Sequence, residues 1–169
     1  IFSDVLHIAR QHGDVYVEAR ALHDLALTNH LLNRVPAAVS FAFEAFQKYD
    51  EPHHRGRALS DMGMFLKELE HYAAAKEAFL EVLATNPTPK TRVNTVLELL
   101  ELTAQVQDRV GFERWRRELE GAYDNLPPAE MVDFEIKMGI GLAAFGAPSD
   151  ATQHLARGVA LAERYKFGQ

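Results

Sequence analysis

The chain has no cysteine. That excludes a disulfide framework and any thiolate nucleophile or thiolate metal site. It fits a reducing compartment, and the cytoplasm is the expectation. No apolar run approaches the roughly 20 residues of a membrane span. No sustained period-two alternation appears, so strands are not expected. Positive charge is the minority sign: Lys and Arg total 18 against 24 Asp and Glu, for a formal charge of −6. That disfavours non-specific nucleic-acid binding by the whole surface, and also an anionic membrane surface. The one local exception is Arg109, Arg114, Arg116 and Arg117. Glu113, Glu118 and Glu120 dilute that cluster, so it reads as a solvated helix face.

Signatures of chemistry are also scarce. The eight histidines are His7, His12, His23, His30, His53, His54, His71 and His154. They form no HExxH and no pair with a second ligand pair at zinc spacing. His53-His54 falls in a polar stretch beside Asp50 and Glu51, where surface histidines of a loop are a simpler reading than a metal site. His23 and His30 are seven apart and share a helix face, but the sequence sets no nucleophile beside them. Gly139-x-Gly141 lies inside a helical pattern, so it is no dinucleotide fingerprint. Neither catalysis nor a cofactor is expected.

What is present is helical periodicity. Hydrophobic residues make up 47% of the chain, enough for a real core. In 57–87, RALSDMGMFLKELEHYAAAKEAFLEVLATNP, residues Leu59, Met62, Leu66 and Leu69 recur at steps of three or four, with Ala58 and Phe65 beside them. That spacing makes one apolar stripe. Glu70-His71-Tyr72 offers a turn. Ala74, Ala75, Ala78, Phe79, Val82 and Leu83 make a second stripe, and Pro87 closes the unit. Gly63 and Ala75 would let two antiparallel helices approach closely, with Phe79 as the knob between them.

Leu59, Gly63, Leu66, Ala75, Phe79 and Pro87 stand at tetratricopeptide (TPR) spacing, and the hairpin resembles that family. The pattern repeats about 37 residues upstream. There RALHDL (20–25) overlies RALSDM (57–62), Ala26 replaces Gly63, and Ala38 replaces Ala75. Downstream, Gly139, Leu142, Ala151 and Leu155 match Gly63, Leu66, Ala75 and Phe79. Between them 89–126 reads as a divergent unit, with Leu100 at the glycine position and Trp115 as the knob beside Phe112 and Leu119.

The expected units are therefore 1–13 (partial), 14–50, 53–88, 89–126 and 127–169. Helices are expected over 2–12 and from Asp14, as N-cap, to about Asn33. A third begins near Pro36 and carries Val39, Ala42, Phe43 and Phe46, with Tyr49–Gly56 as a linker. The fold class is all-α: about nine helices in one domain, arranged as a right-handed α-solenoid of antiparallel hairpins. The chain opens on Ile1 within a helical pattern and closes on LAERYKFGQ, where a further repeat could follow. The expectation is a segment of a longer, bacterial TPR-containing protein, with terminal apolar faces available for self-association.

The resemblance also implies a site. In TPR proteins the first helix of each repeat lines a concave groove. Here those positions are Arg20, His23, Asp24, Leu27 and His30, then Arg57, Ser60, Asp61, Met64, Lys67 and Glu68. The divergent unit offers Asn94, Glu98 and Glu101, and the last unit offers Asp133, Lys137 and Ile140. Leu27, Met64 and Ile140 recur as an apolar seam, or as padding between first helices. Arg20–Asp24 and Arg57–Asp61 stand as i,i+4 pairs. TPR domains that clamp chaperone tails place asparagine where Leu27 and Met64 stand, which argues against a chaperone co-factor. The function implied is a protein- or peptide-binding scaffold. The alternative is a peptide- or inducer-sensing segment of a bacterial regulator, since the ending ALAERYKFG resembles repeats of such proteins.

Overall fold

Cap and breaker residues set the helix boundaries in the computed structural model, which describes residues 1–166. Helix α1 (Phe2–His12) ends at Gly13, φ 70°. The Asp14 carboxylate accepts from the Val17 N–H at 3.0 Å and opens α2 (Val15–Leu31). Pro36 occupies the first turn of α3 (Val35–Lys48), where its missing N–H costs nothing. Then come α4 (Pro52–Glu68), α5 (Tyr72–Ala84) and α6 (Pro89–Gln105). Asp108 caps α7 (Arg109–Ala122) by accepting from the Gly111 N–H at 2.9 Å. A 3₁₀ turn (Tyr123–Asn125), α8 (Pro128–Ala144) and α9 (Pro148–Tyr165) complete the described chain. Among the described residues there is no strand, and no helix is long and apolar enough to cross a membrane. The terminal stretch 167–169, part of the expected continuation, lies outside the described residues.

One turn recurs. Asn33, Glu70, Gln107 and Gly146 all have left-handed φ, between 57° and 77°, and follow one another at steps of 37, 37 and 39 residues. Behind each, the next residue's N–H reaches back five residues: Arg34 to Asn29, His71 to Leu66, Asp108 to Thr103 and Ala147 to Leu142. This helix-ending motif satisfies the last carbonyls of α2, α4, α6 and α8, and Gly13, with the Asp14 N–H on Ala9, ends α1 in the same way. It fixes the register of the divergent third unit, where side-chain matching is poor.

By its contacts the chain divides into two compact units, Ile1–Arg92 and Val93–Gln169. In the first, successive helices α1 to α5 pack on one another. A methyl group on Gly63 would sit 2.7 Å from the Phe79 ring, and one on Gly56 would meet Thr85 at 3.9 Å. Those two pairings make α4 and α5 antiparallel. Ala75, Phe79 and Val82 are fully buried. Ala26, Ala38, Ala42 and Phe65 make a second cluster with Leu27 and Met62 packed against it.

In the second unit, a methyl group on Gly139 would meet Leu155 at 2.5 Å, and one on Gly158 would meet Ile136 at 3.4 Å, so α8 and α9 are antiparallel. The Phe112 ring fills the space beside Gly141. Trp115, Phe112 and Leu119 are all buried, as the periodicity indicates. Gly111, not singled out in the sequence, holds the small position of the third hairpin: a methyl group there would sit 2.8 Å from the Thr103 methyl group.

Three expectations are corrected. Tyr49–Gly56 is not a linker: α4 starts at Pro52, so only Tyr49–Glu51 connects, and His53-His54 lie in a helical turn. Proline favours a first helical turn, and the run of polar residues after it hid that start. Ala74 and Phe43 face outward, being exposed; Ala78 and Phe41 take the inward positions. Both misplaced residues lie at the edge of their stripe, where a step of three or four allows either side.

Candidate functional site

Helices α2 and α4 are the first helices of successive hairpins, and two bridges of equal step join them. His23 Nε2 lies 2.7 Å from Asp61 Oδ2, and His30 Nε2 lies 2.7 Å from Glu68 Oε2. Both pairs are 38 residues apart, so α2 and α4 run parallel and in register. The His30 ring also lies on Phe65, centroids 4.7 Å apart. His23 is only 6% exposed. It holds the seam together and does not face solvent.

This arrangement undoes the expected i,i+4 pairs. Asp61 is taken by His23, and among the described residues no ion pair joins Arg20 to Asp24 or Arg57 to Asp61. Arg20 and Arg57 are exposed, and among the described residues neither has an ion-pair partner. They stand at a pocket of about 230 Å³ that Asp24, Leu27 and His23 also line. Five predicted residues thus meet at one concavity.

The other walls are aromatic and were missed in the sequence: Tyr16, Tyr49 and His54. Tyr49 stacks on His54 (centroids 5.2 Å apart, planes at 23°) and meets Tyr16 and His23 edge-on at 6.3 and 6.1 Å. Tyr49 is 4% exposed, and its hydroxyl has no protein partner among the described residues. No buried side-chain oxygen or nitrogen is fully sealed without a partner, so this hydroxyl keeps an opening. Burial pushes the phenol's pKa up, and the nearby Tyr16 and Asp24 add to that. The signal that could have found this cluster is the YDEPHH stretch, read as helix start instead of linker.

Of the remaining positions on α4, Ser60, Met64 and Lys67 are half-buried and Glu68 is exposed. Leu27 packs partly against the core, which favours padding over an open seam at that position.

The second unit treats its predicted residues differently. Lys137 Nζ lies 2.8 Å from Glu98, 2.8 Å from Glu101 and 3.5 Å from Asp133. Lys137 is buried, contrary to its expected place on an open groove. Its burial disfavours the charge, but Glu98, Asp133 and Glu101 outweigh that and hold its pKa above the ordinary lysine value. Burial raises the Asp133 carboxyl more than Lys137 lowers it. Four predicted groove residues are therefore bound to one another across α6 and α8. Asn94 and Ile140 stay exposed.

A second buried polar group in this unit was not foreseen. Glu135 Oε2 lies 2.7 Å from His154 Nδ1. Burial, and then its hydrogen bond to Glu135, push the Tyr123 phenol up to about 12. The arginine cluster is a helix face, as read: Arg116 bonds Glu120 at 2.8 Å, and Arg114 lies over Trp115.

No protein-family model matches this chain, and no curated protein matches it. The TPR resemblance stands on the chain's own residues and spacings.

Proposed function

We propose that this chain is a TPR-like segment of the right-handed α-solenoid kind, acting as a non-catalytic, cytoplasmic scaffold that binds a protein or peptide. The binding face is the α2–α4 seam. What supports this is one observation: five of the residues expected on a first-helix groove line one pocket there, and two of them are arginines without ion-pair partners. Net charge argues against nucleic acid as the partner of this segment. A protein groove would use exposed side chains of this mixed kind, with arginine and tyrosine carrying most of the binding energy.

The test is selection of a random displayed-peptide library on the 169-residue chain. Peptides should be enriched, and their binding should be lost in a Ser60→Glu/Met64→Glu variant that keeps its helical circular dichroism. Those two residues lie on α4 outside the pocket lining. No enrichment, or equal binding by the variant, would remove the reading.

A second reading has one feature in its favour. The pocket is a concavity and not a flat strip, as a sensing segment of a bacterial regulator would need for a peptide terminus or small inducer.

A further inference from the structure

The pocket at the α2–α4 seam has a specific chemistry, and the inference drawn from it rests on reading that seam as a binding face. Its volume, about 230 Å³, is below the roughly 300–1,000 Å³ range of drug-sized sites and suits one residue-sized group. Its inner wall is aromatic, with Tyr49 and His54 stacked and Tyr16 edge-on. Offset and edge-on ring contacts are what such a wall offers to a flat ligand.

Two guanidiniums, Arg20 and Arg57, line the same hollow with no carboxylate bound to either. A guanidinium presents paired donors that match a carboxylate. The Tyr49 hydroxyl, which keeps an opening and has no protein partner among the described residues, adds a neutral donor from the inner wall. His23 adds no free charge, since Asp61 bridges it at 2.7 Å.

Asp24 sets the count. With Arg20 and Arg57 it brings the pocket's unbridged ionised groups to a formal charge of about +1, against −6 for the chain. One positive charge favours a monoanion and disfavours a second negative charge beside Asp24.

We propose that this pocket binds an aromatic monocarboxylate, with the carboxylate on Arg20 and Arg57, its ring on Tyr16 and His54, and the Tyr49 hydroxyl donating to it. Such a group comes either as a free aromatic acid or as the C-terminal aromatic residue of a peptide.

The experiment is a ¹H–¹⁵N titration of the whole chain with phenylacetate, phenylacetamide, inorganic phosphate, and a Gly-Gly-Phe peptide with a free or amidated C-terminus. Phenylacetate should give saturable shifts centred on Tyr16, Arg20, Tyr49, His54 and Arg57. Arg20→Gln/Arg57→Gln should weaken it by about tenfold or more. Tyr49→Phe, which keeps the ring, should weaken it by about three- to tenfold. A free-acid peptide binding at least as tightly as phenylacetate assigns the group to a chain terminus; weaker binding of that peptide assigns it to a free acid. Absence of saturable shifts, equal binding of phenylacetamide, or tighter binding of phosphate overturns the proposal. If phenylacetate fails while selected peptides still bind through Ser60 and Met64, the pocket chemistry alone is wrong. If both fail, the seam is not a binding face.

Discussion

Phe79 carries the clearest consequence of a single side chain. It is fully buried against Gly63, so Phe79→Ala should cost roughly 3–5 kcal/mol through the cavity left behind. Gly63→Ala should also destabilise, by roughly 1–3 kcal/mol of overpacking against the ring. Alanine's better helix propensity, about 1 kcal/mol, offsets part of that. Urea denaturation reads both, and a loss below about 0.5 kcal/mol at Phe79 would sink this packing. The glycine–phenylalanine pair was legible because a mid-helix glycine has few explanations other than close approach.

Lys137 was not legible in the same way. The TPR resemblance placed it on an open groove, and the sequence cannot show that Glu98 and Glu101, 39 and 36 residues earlier, close over it. Lys137→Met leaves three carboxylates facing one another and should cost about 3–5 kcal/mol at neutral pH. The sign of the pH dependence follows from the raised pKa. Lysine's contribution is whole below its unfolded value, about 10.4, and is lost only as pH rises through the higher folded value. The deficit of the variant should therefore be level between pH 6 and 9, and should shrink toward pH 4 as carboxylates take up protons. A deficit that grows on acidification contradicts this.

Turns and termini govern the helices as elements. The recurring left-handed position is glycine at Gly13 and Gly146; Asn33, Glu70 and Gln107 fill the others. Glycine and proline are the usual punctuation of a sequence, so the motif was invisible in three of its five occurrences. A left-handed φ strains a residue with a Cβ by roughly 1–2 kcal/mol. Glu70→Gly should stabilise the chain, by up to about 1 kcal/mol once glycine's greater unfolded freedom is subtracted, and Gln107→Gly by less, because the Gln107 side-chain amide donates to the Ala104 carbonyl at 3.2 Å. Thermal midpoints of the two variants read this, and a fall in Glu70→Gly would overturn it.

Helix α1 depends on a different device. Glu18 on α2 accepts from Arg10 of α1 at 2.9 Å and pairs with Lys48 of α3 at 3.0 Å. Burial opposes the Glu18 charge, but the bonds from Arg10 and Lys48 outweigh it, so its pKa lies below the ordinary glutamate value. A lowered carboxyl stabilises the fold above its unfolded value, about 4.3, and that contribution is lost as pH falls through the folded one. Hydrogen exchange in α1 should accelerate between pH 5 and 3, beyond the intrinsic pH effect, by more than in α5. Glu18→Gln should already show fast exchange at pH 7 and little further change. Equal behaviour of α1 and α5 in the wild type would remove the role given to Glu18.

For the whole molecule, the all-helical class and the hairpin periods were legible because each unit repeats one apolar pattern. The candidate site was legible only in part. Its charged residues lie at periodic positions, whereas its aromatic wall comes from helix ends, Tyr16 at the start of α2, Tyr49 just after α3 and His54 at the start of α4, where no period applies. The cores described here are local: the Gly63–Phe79 contact belongs to Ile1–Arg92, and the Gly139–Leu155 contact belongs to Val93–Gln169. In a repeat array each unit is stabilised chiefly by its immediate neighbours, so damage stays near its origin. Phe79→Ala should then lower amide protection most in α4 and α5, less in α2 and α3, and least in α8 and α9. Native-state hydrogen exchange with peptide-level readout gives this gradient directly. A uniform loss of protection across residues 1–166 would mean that the chain opens as one cooperative body, and the repeat account of its stability would have to be abandoned.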